Sequence, residues 1–148
     1  MRRLICFSVL VFSASIACAQ QRPCTDAEAL RADTEADTLR SWDSLYRSYK
    51  LYRQCDDGGI AEGYSESVVR ILADHWSTLS RLATLSRRDA RFRRFVLGHV
   101  DATTNPDDLK RIRMNANTQC PPRLSAICAD LAKEADAALK EDESLGIK

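Results

Sequence analysis

Alternation of apolar and polar residues with a period of two is missing from this 148-residue chain, which excludes a sheet-based architecture. Histidine is scarce: His75 and His99 are the only two, each with an acid close by, Asp74 beside one and Asp101 two residues after the other. Zinc usually takes three or four protein ligands at recognisable spacing, so two imidazoles and scattered acids do not make a metal centre. No Gly-x-Ser-x-Gly turn or reactive-thiol signature occurs, and a nucleophilic triad is therefore not expected. No cofactor is called for. A surplus of one charge is also lacking. Duplex-binding proteins carry a basic excess that displaces counterions, so nucleic acid is not the expected partner, and an anionic membrane surface is disfavoured on the same ground.

Long apolar runs are confined to the start. Met1-Arg2-Arg3 precedes an apolar stretch from Leu4 to Ile16, and Ala17-Cys18-Ala19 supplies the small residues of a signal-peptidase site before Gln20. The stretch falls short of the ~20 residues that span a bilayer, and nothing later is long enough. The chain is thus expected to be exported, with cleavage after Ala19 and a periplasmic or secreted product. Ser15-Ile16-Ala17-Cys18 offers a lipobox alternative, with Ser where Leu is usual. Removing residues 1–19 leaves 129, the size of one ordinary domain, with 20 Lys+Arg against 21 Asp+Glu.

What is present is helix-forming sequence. Ala, Leu, Arg, Glu and Asp dominate, while the 5 Gly and 4 Pro serve mostly as punctuation. Thr25 and Glu28 form a capping-box pair opening a helical region from about Asp26 to Gln54. Its apolar stripe comprises Leu30, Leu39, Trp42, Leu45, Tyr46, Tyr49 and Tyr52, with a break expected near residues 34–38. Gly58-Gly59 is read as the end of that region and Ser65 as the cap of a second helix carrying Val68, Val69, Leu72, Trp76, Leu79 and Leu82. Asp89 caps a third with Phe92, Phe95, Val96 and Val100. Asn105-Pro106-Asp107-Asp108 is the clearest start signal, a cap followed by Pro at the first helical position and acids in the first turn. Pro121-Pro122 breaks the chain before a fifth helix with Leu124, Ile127, Leu131, Ala135, Ala138 and Leu139 on one side, and the charged end from Lys140 is expected to fray. Short connections favour antiparallel neighbours, so the expected fold is an all-α, compact bundle of five or six helices braced by disulfides.

Four cysteines remain in the mature chain, an even number in an oxidising compartment. Cys120 and Cys128 flank the Pro-Pro turn and can close a local bridge, leaving Cys24 for Cys55. One straight helix over residues 25–54 would hold the latter pair about 45 Å apart. Their pairing therefore demands the break near residue 36; a continuous helix would send Cys24 elsewhere.

Two regions are candidates for function. From Cys55 to Glu66, acids, glycines and a tyrosine crowd between helices, with Asp56, Asp57, Glu62 and Tyr64 as candidate binding residues. Adjacent Asp56 and Asp57 diverge rather than converge on a cation, unlike the alternating ligands of a calcium loop. Glu62 and Glu66, four apart, are an alternative pair of carboxylates for a small cell-wall hydrolase, although Gly63 weakens helix between them. The second region is basic: Arg81, Arg87, Arg88, Arg91, Arg93 and Arg94 are opposed only by Asp89, whereas residues 26–43 and 130–143 are acidic. Arginine forks suit carboxylates, so Arg87, Arg88, Arg91 and Arg94 are candidates for gripping an acidic protein partner in the cell envelope. The competing reading is that the basic segment lies against the molecule's own acidic ends.

The Cys55–Glu66 stretch, continued by Val68-Val69-Arg70, Phe95-Val96-Leu97, Asp108-Leu109 and Cys120-Pro121, resembles a group of small exported bacterial all-helical proteins over most of the mature chain. The resemblance implies a helical fold and a Gram-negative source; it carries over no activity and no catalytic residues. In plan, a signal peptide followed by a small disulfide-bonded helical domain, the chain is also similar to periplasmic immunity proteins that block cell-wall amidases delivered by type VI secretion. An exported, non-catalytic protein-binding domain, of the inhibitor or immunity type, is the function expected.

Overall fold

The computed structural model describes residues 22–146, so the expected signal peptide lies outside the described residues. These residues form seven α-helices: α1 (Asp26–Ala36), α2 (Trp42–Tyr52), α3 (Gly58–Asp74), α4 (Leu79–Arg88), α5 (Ala90–Gly98), α6 (Pro106–Thr118) and α7 (Ser125–Leu145). Single 3-10 turns at Arg53–Cys55 and Trp76–Thr78 join α2 to α3 and α3 to α4. The all-α, disulfide-braced bundle is as the residue pattern implies, but the count exceeds the five or six expected. The additional helix comes from the 65–82 segment, which bends at His75. There the Trp76 indole donates to the Gln119 carbonyl at 2.9 Å, and the Thr78 hydroxyl donates to the His75 carbonyl at 2.7 Å while accepting from the Trp42 indole at 2.9 Å. Tertiary bonds thus override a stripe that reads as continuous.

The break between α1 and α2 falls at residues 37–41. Thr25 caps α1 through the anticipated capping box with Glu28, and Ser41 restarts the chain by exchanging bonds with Ser44. Because the chain reverses there, Cys24 reaches Cys55 with the Cα atoms 5.0 Å apart; Cys120 and Cys128 are bridged at 6.0 Å.

Gly58 and Gly59 do not separate two helices. Asp57 is the N-cap, its carboxylate accepting from the Gly58 amide at 2.9 Å, and α3 begins at once, with Gly58 at φ +52°. Ser65 is accordingly no cap but a buried residue in the middle of α3. The apolar stripe of α3 starts earlier than Val68, at Ile60 and Tyr64, and this longer buried face outweighs the two glycines.

α3 is the central helix, packing on α1 and α6, while α6 lies along α7 and α4 against α5. The core gathers Leu45, Tyr64, Leu72, Leu82, Phe92, Leu109, Ile112 and Leu131, all essentially without solvent contact. α1 contributes only Ala32 and Ala36, and Leu30, expected in its stripe, is 69% exposed. Small residues are needed on that face because α1 and α3 approach closely. A Cβ added at Gly63 would stand 2.9 Å from the Ala36 Cβ and 3.2 Å from the Asp37 nitrogen. The Ser67 hydroxyl seals this crossing, donating to the Ala36 carbonyl at 2.5 Å and accepting from the Leu39 amide at 3.2 Å. α7 continues past Lys140, where fraying was expected, to Leu145 and closes on left-handed Gly146.

Candidate functional site

The end of the Arg53–Cys55 turn, the first half of α3 and the C-terminus of α5 enclose a cleft of about 370 Å³. Asp56 enters it directly after the bridged Cys55. Asp57 is placed by its capping role. Glu62 and Ser65 come from α3, Arg94 and Phe95 from α5, and His99, Asp101 and Thr103 from the residues that follow α5.

Under the cleft runs a chain of polar groups. The Ser65 oxygen lies 2.6 Å from an Asp101 carboxylate oxygen, 3.0 Å from His99 Nδ1 and 3.1 Å from the Ala61 carbonyl. His99 Nε2 faces the Asp56 carboxylate at 3.3 Å. Asp101 is oriented by Thr103, whose amide donates to its other oxygen at 2.9 Å. The imidazole is wedged against Phe95, ring centroids 4.3 Å apart, and is only 7% exposed.

Serine, histidine and aspartate in sequence contact invite comparison with a hydrolytic triad, and the proton count argues otherwise. A hydroxyl has one proton to give, and the shortest contact assigns it to Asp101. Asp101, and the Ala61 carbonyl at 3.1 Å, thus compete with His99 Nδ1 for that one proton. Ser65 also sits buried within a helix rather than on an exposed turn. The chain acts as a polar tether between α3 and the end of α5. Among the described residues, no three His, Cys, Asp or Glu side chains converge as a metal site.

Of the candidates named from sequence, Asp56, Asp57, Glu62 and Arg94 meet in this cleft. Tyr64 lies beneath it in the core, wholly buried, its hydroxyl 2.8 Å from Ser48, so it presents nothing to a partner. Burial pushes the Tyr64 phenol up to about 12. Glu62 and Glu66 do share a face of α3, which runs unbroken through Gly63. Both stand in solvent, with Glu66 3.7 Å from Arg70, rather than confronting each other across a cleft as paired hydrolytic carboxylates do.

The basic segment divides in two. Arg81 is bonded to Asp43 and Arg93 to Asp130, partners supplied by the two acidic stretches. Asp43 is held below the ordinary carboxylate range by the Arg81 hydrogen bonds. Arg87, Arg88, Arg91 and Arg94 are exposed and have no carboxylate within ion-pair distance among the described residues. Asp89, the one acid between them, is turned to the Arg91 and Phe92 amides as the cap of α5 and to Lys50 at 3.6 Å. Arg91 and Arg94, three apart on α5, share a face that leads from this cap to the cleft.

Ser65, His99 and Asp101 are the members of the site that sequence reading left out. The His99–Asp101 spacing was a visible hint, but their link to Ser65 spans 34 and 36 residues and leaves no local signal. No protein-family model, curated protein or solved structure matches the chain.

Proposed function

We propose that this protein is an extracytoplasmic protein-binding domain, of the inhibitor or immunity kind, that docks an acidic surface of its partner on the ridge formed by Arg88, Arg91 and Arg94. The observation that carries this reading is the division of the basic segment. Arg81 and Arg93 find carboxylates within the fold, whereas Arg88, Arg91 and Arg94 are exposed and make no ion pair among the described residues. Guanidinium groups on a braced helix are effective anchors, since each offers two parallel bonds to a carboxylate and the helix is already ordered. The two disulfides and the absence among the described residues of a helix long and apolar enough to cross a membrane are compatible with an exported product.

The test is affinity capture from a host envelope extract with oxidised, tagged protein, run beside a variant in which Arg88, Arg91 and Arg94 are changed to Ser. One partner is expected with the wild type, held less firmly as salt rises and lost in the variant. Binding of the purified partner should then weaken at least tenfold, since each exposed charged pair contributes up to about 1 kcal/mol. Equal retention by both proteins, or no retention by either, would refute the assignment.

A further inference from the structure

A second cavity, of about 200 Å³, opens between α4, α5 and the first turn of α7, and we propose that it binds a tetrahedral oxyanion, a phosphate or phosphomonoester dianion. Three arginines line it from three directions: Arg87 in the last turn of α4, Arg93 on α5 and Arg123 in the turn before α7. Ser86 lines it as well. That residue is 7% exposed, and its hydroxyl is buried with no hydrogen-bond partner among the described residues. Buried hydroxyls are nearly always satisfied, so an orphan on a cavity wall marks where a bound oxygen belongs.

The start of α7 points the same way. Its N-cap residue, Leu124, has no side chain able to cap, and the amides of Ser125 and Ala126 find no acceptor among the described residues. This is the positive end of a 21-residue helix, and Ala126 is part of the cavity wall. Free amides and the aligned peptide dipoles both favour an anion there.

Charge accounting selects the anion. Arg93 is neutralised by Asp130 and also approaches the Ala126 carbonyl at 3.4 Å. Arg87 spends one donor on the neutral Thr84 hydroxyl at 3.1 Å, and Arg123 has no ion pair among the described residues. Two positive charges are left uncompensated, which matches a dianion with oxygens in several directions better than a flat carboxylate carrying one charge. Arg123 is also the only non-glycine among the described residues with a left-handed backbone, φ 68°. That conformation is disfavoured for a side-chain-bearing residue; here Arg123 stands third in a turn within the Cys120–Cys128 loop, closed by the Leu124 amide donating to the Pro121 carbonyl at 3.1 Å.

None of Arg88, Arg91 and Arg94 lines this cavity, so the proposal stands apart from the docking ridge. Its test is calorimetric titration of the oxidised protein with inorganic phosphate, the ionic strength held constant with chloride. Saturable binding of one phosphate is expected, weakened at least tenfold by Arg123→Gly and severalfold by Ser86→Ala. Arg88→Ser with Arg91→Ser should leave it unchanged. Glycine suits the left-handed position, so Arg123→Gly should melt no lower than the wild type and its lost binding can be read as loss of the guanidinium. A parallel arm uses phosphatidic acid vesicles against phosphatidylcholine vesicles. Binding to the former that is lost in Arg123→Gly, with no response to free phosphate, would keep the site and assign the phosphate to a lipid headgroup. Silence in both arms, or phosphate binding by Arg123→Gly equal to the wild type, would overturn the proposal.

Discussion

Changing Gly63 to alanine should destabilise the protein even though it removes a glycine from the interior of a 17-residue helix. In an open helix the exchange would stabilise by about 1 kcal/mol. Here the new methyl would lie 2.9 Å from the Ala36 Cβ and 3.2 Å from the Asp37 backbone nitrogen. Neither neighbour is the far end of a flexible chain, so α1 and α3 must separate. Separation also stretches the Ser67 bonds to the Ala36 carbonyl and the Leu39 amide, both at the same crossing. Overpacking of this sort costs about 1–3 kcal/mol, and the buried bonds at the seam place it toward the upper value. The net loss after the helix gain is about 1–2 kcal/mol, or a melting temperature lower by roughly 4–8 °C for a domain of this size. Gly98→Ala is the matched control, since nothing lies within 4 Å of the Cβ it would add and its φ is not left-handed. Thermal unfolding followed by circular dichroism should show Gly63→Ala falling and Gly98→Ala level or rising. A rise in both would mean that the close approach of α1 and α3 is not a feature of the folded protein.

The disulfides should differ in weight. On the loop-entropy model the bridge across 31 residues contributes about 3.5 kcal/mol and the one across 8 about 2.5 kcal/mol, so Cys24→Ala with Cys55→Ala should melt below Cys120→Ala with Cys128→Ala. The reverse order would count against loop closure as the source. Tyr64 sets an alkaline limit. Its phenol titrates at about 12 in the fold and near 10 when unfolded, so the folded state keeps the proton more tightly. The associated stability is fully present below about pH 10 and is lost as pH rises to about 12, roughly 3 kcal/mol in all. Urea unfolding across that range should show the gap between wild type and Tyr64→Phe shrinking or reversing as pH rises; a constant gap would dispose of the assignment.

The helix starts that could be read in advance were those whose chemistry is local. Asn105 accepts from the Asp107 amide at 2.9 Å ahead of Pro106, and Asp89 caps α5, both as their neighbours imply. The disulfide pairing was also legible, because reach depends only on helix rise and a turn near residue 36. Where the reading failed, a distant partner had decided the outcome. Gly58-Gly59 looks like a stop, yet the helix it opens packs Ile60 against the core and buries Tyr64 within it, the Tyr64 ring against Phe95 of α5. Leu30 looks like core, yet the crossing with α3 admits only Ala32 and Ala36 from that helix. The cleft was half legible: its acids were singled out as a local cluster, whereas Ser65 gains its meaning only from residues 34 and 36 positions away. Likewise, the six arginines could be counted in the sequence, but their division into paired and free depends on where Asp43 and Asp130 fold.

The Cys24–Cys55 bridge does more than close a loop, because the next residue is Asp56. Residues 53–57 lie between α2 and α3 with only one 3-10 turn of their own, so the covalent tie to Cys24 governs where the carboxylate facing His99 comes to rest. A chain made in a reducing compartment would lack this tie and leave the corner ungoverned. The acidic cleft is in this sense a product of oxidation, and protein with free thiols should present a different surface there from the oxidised protein.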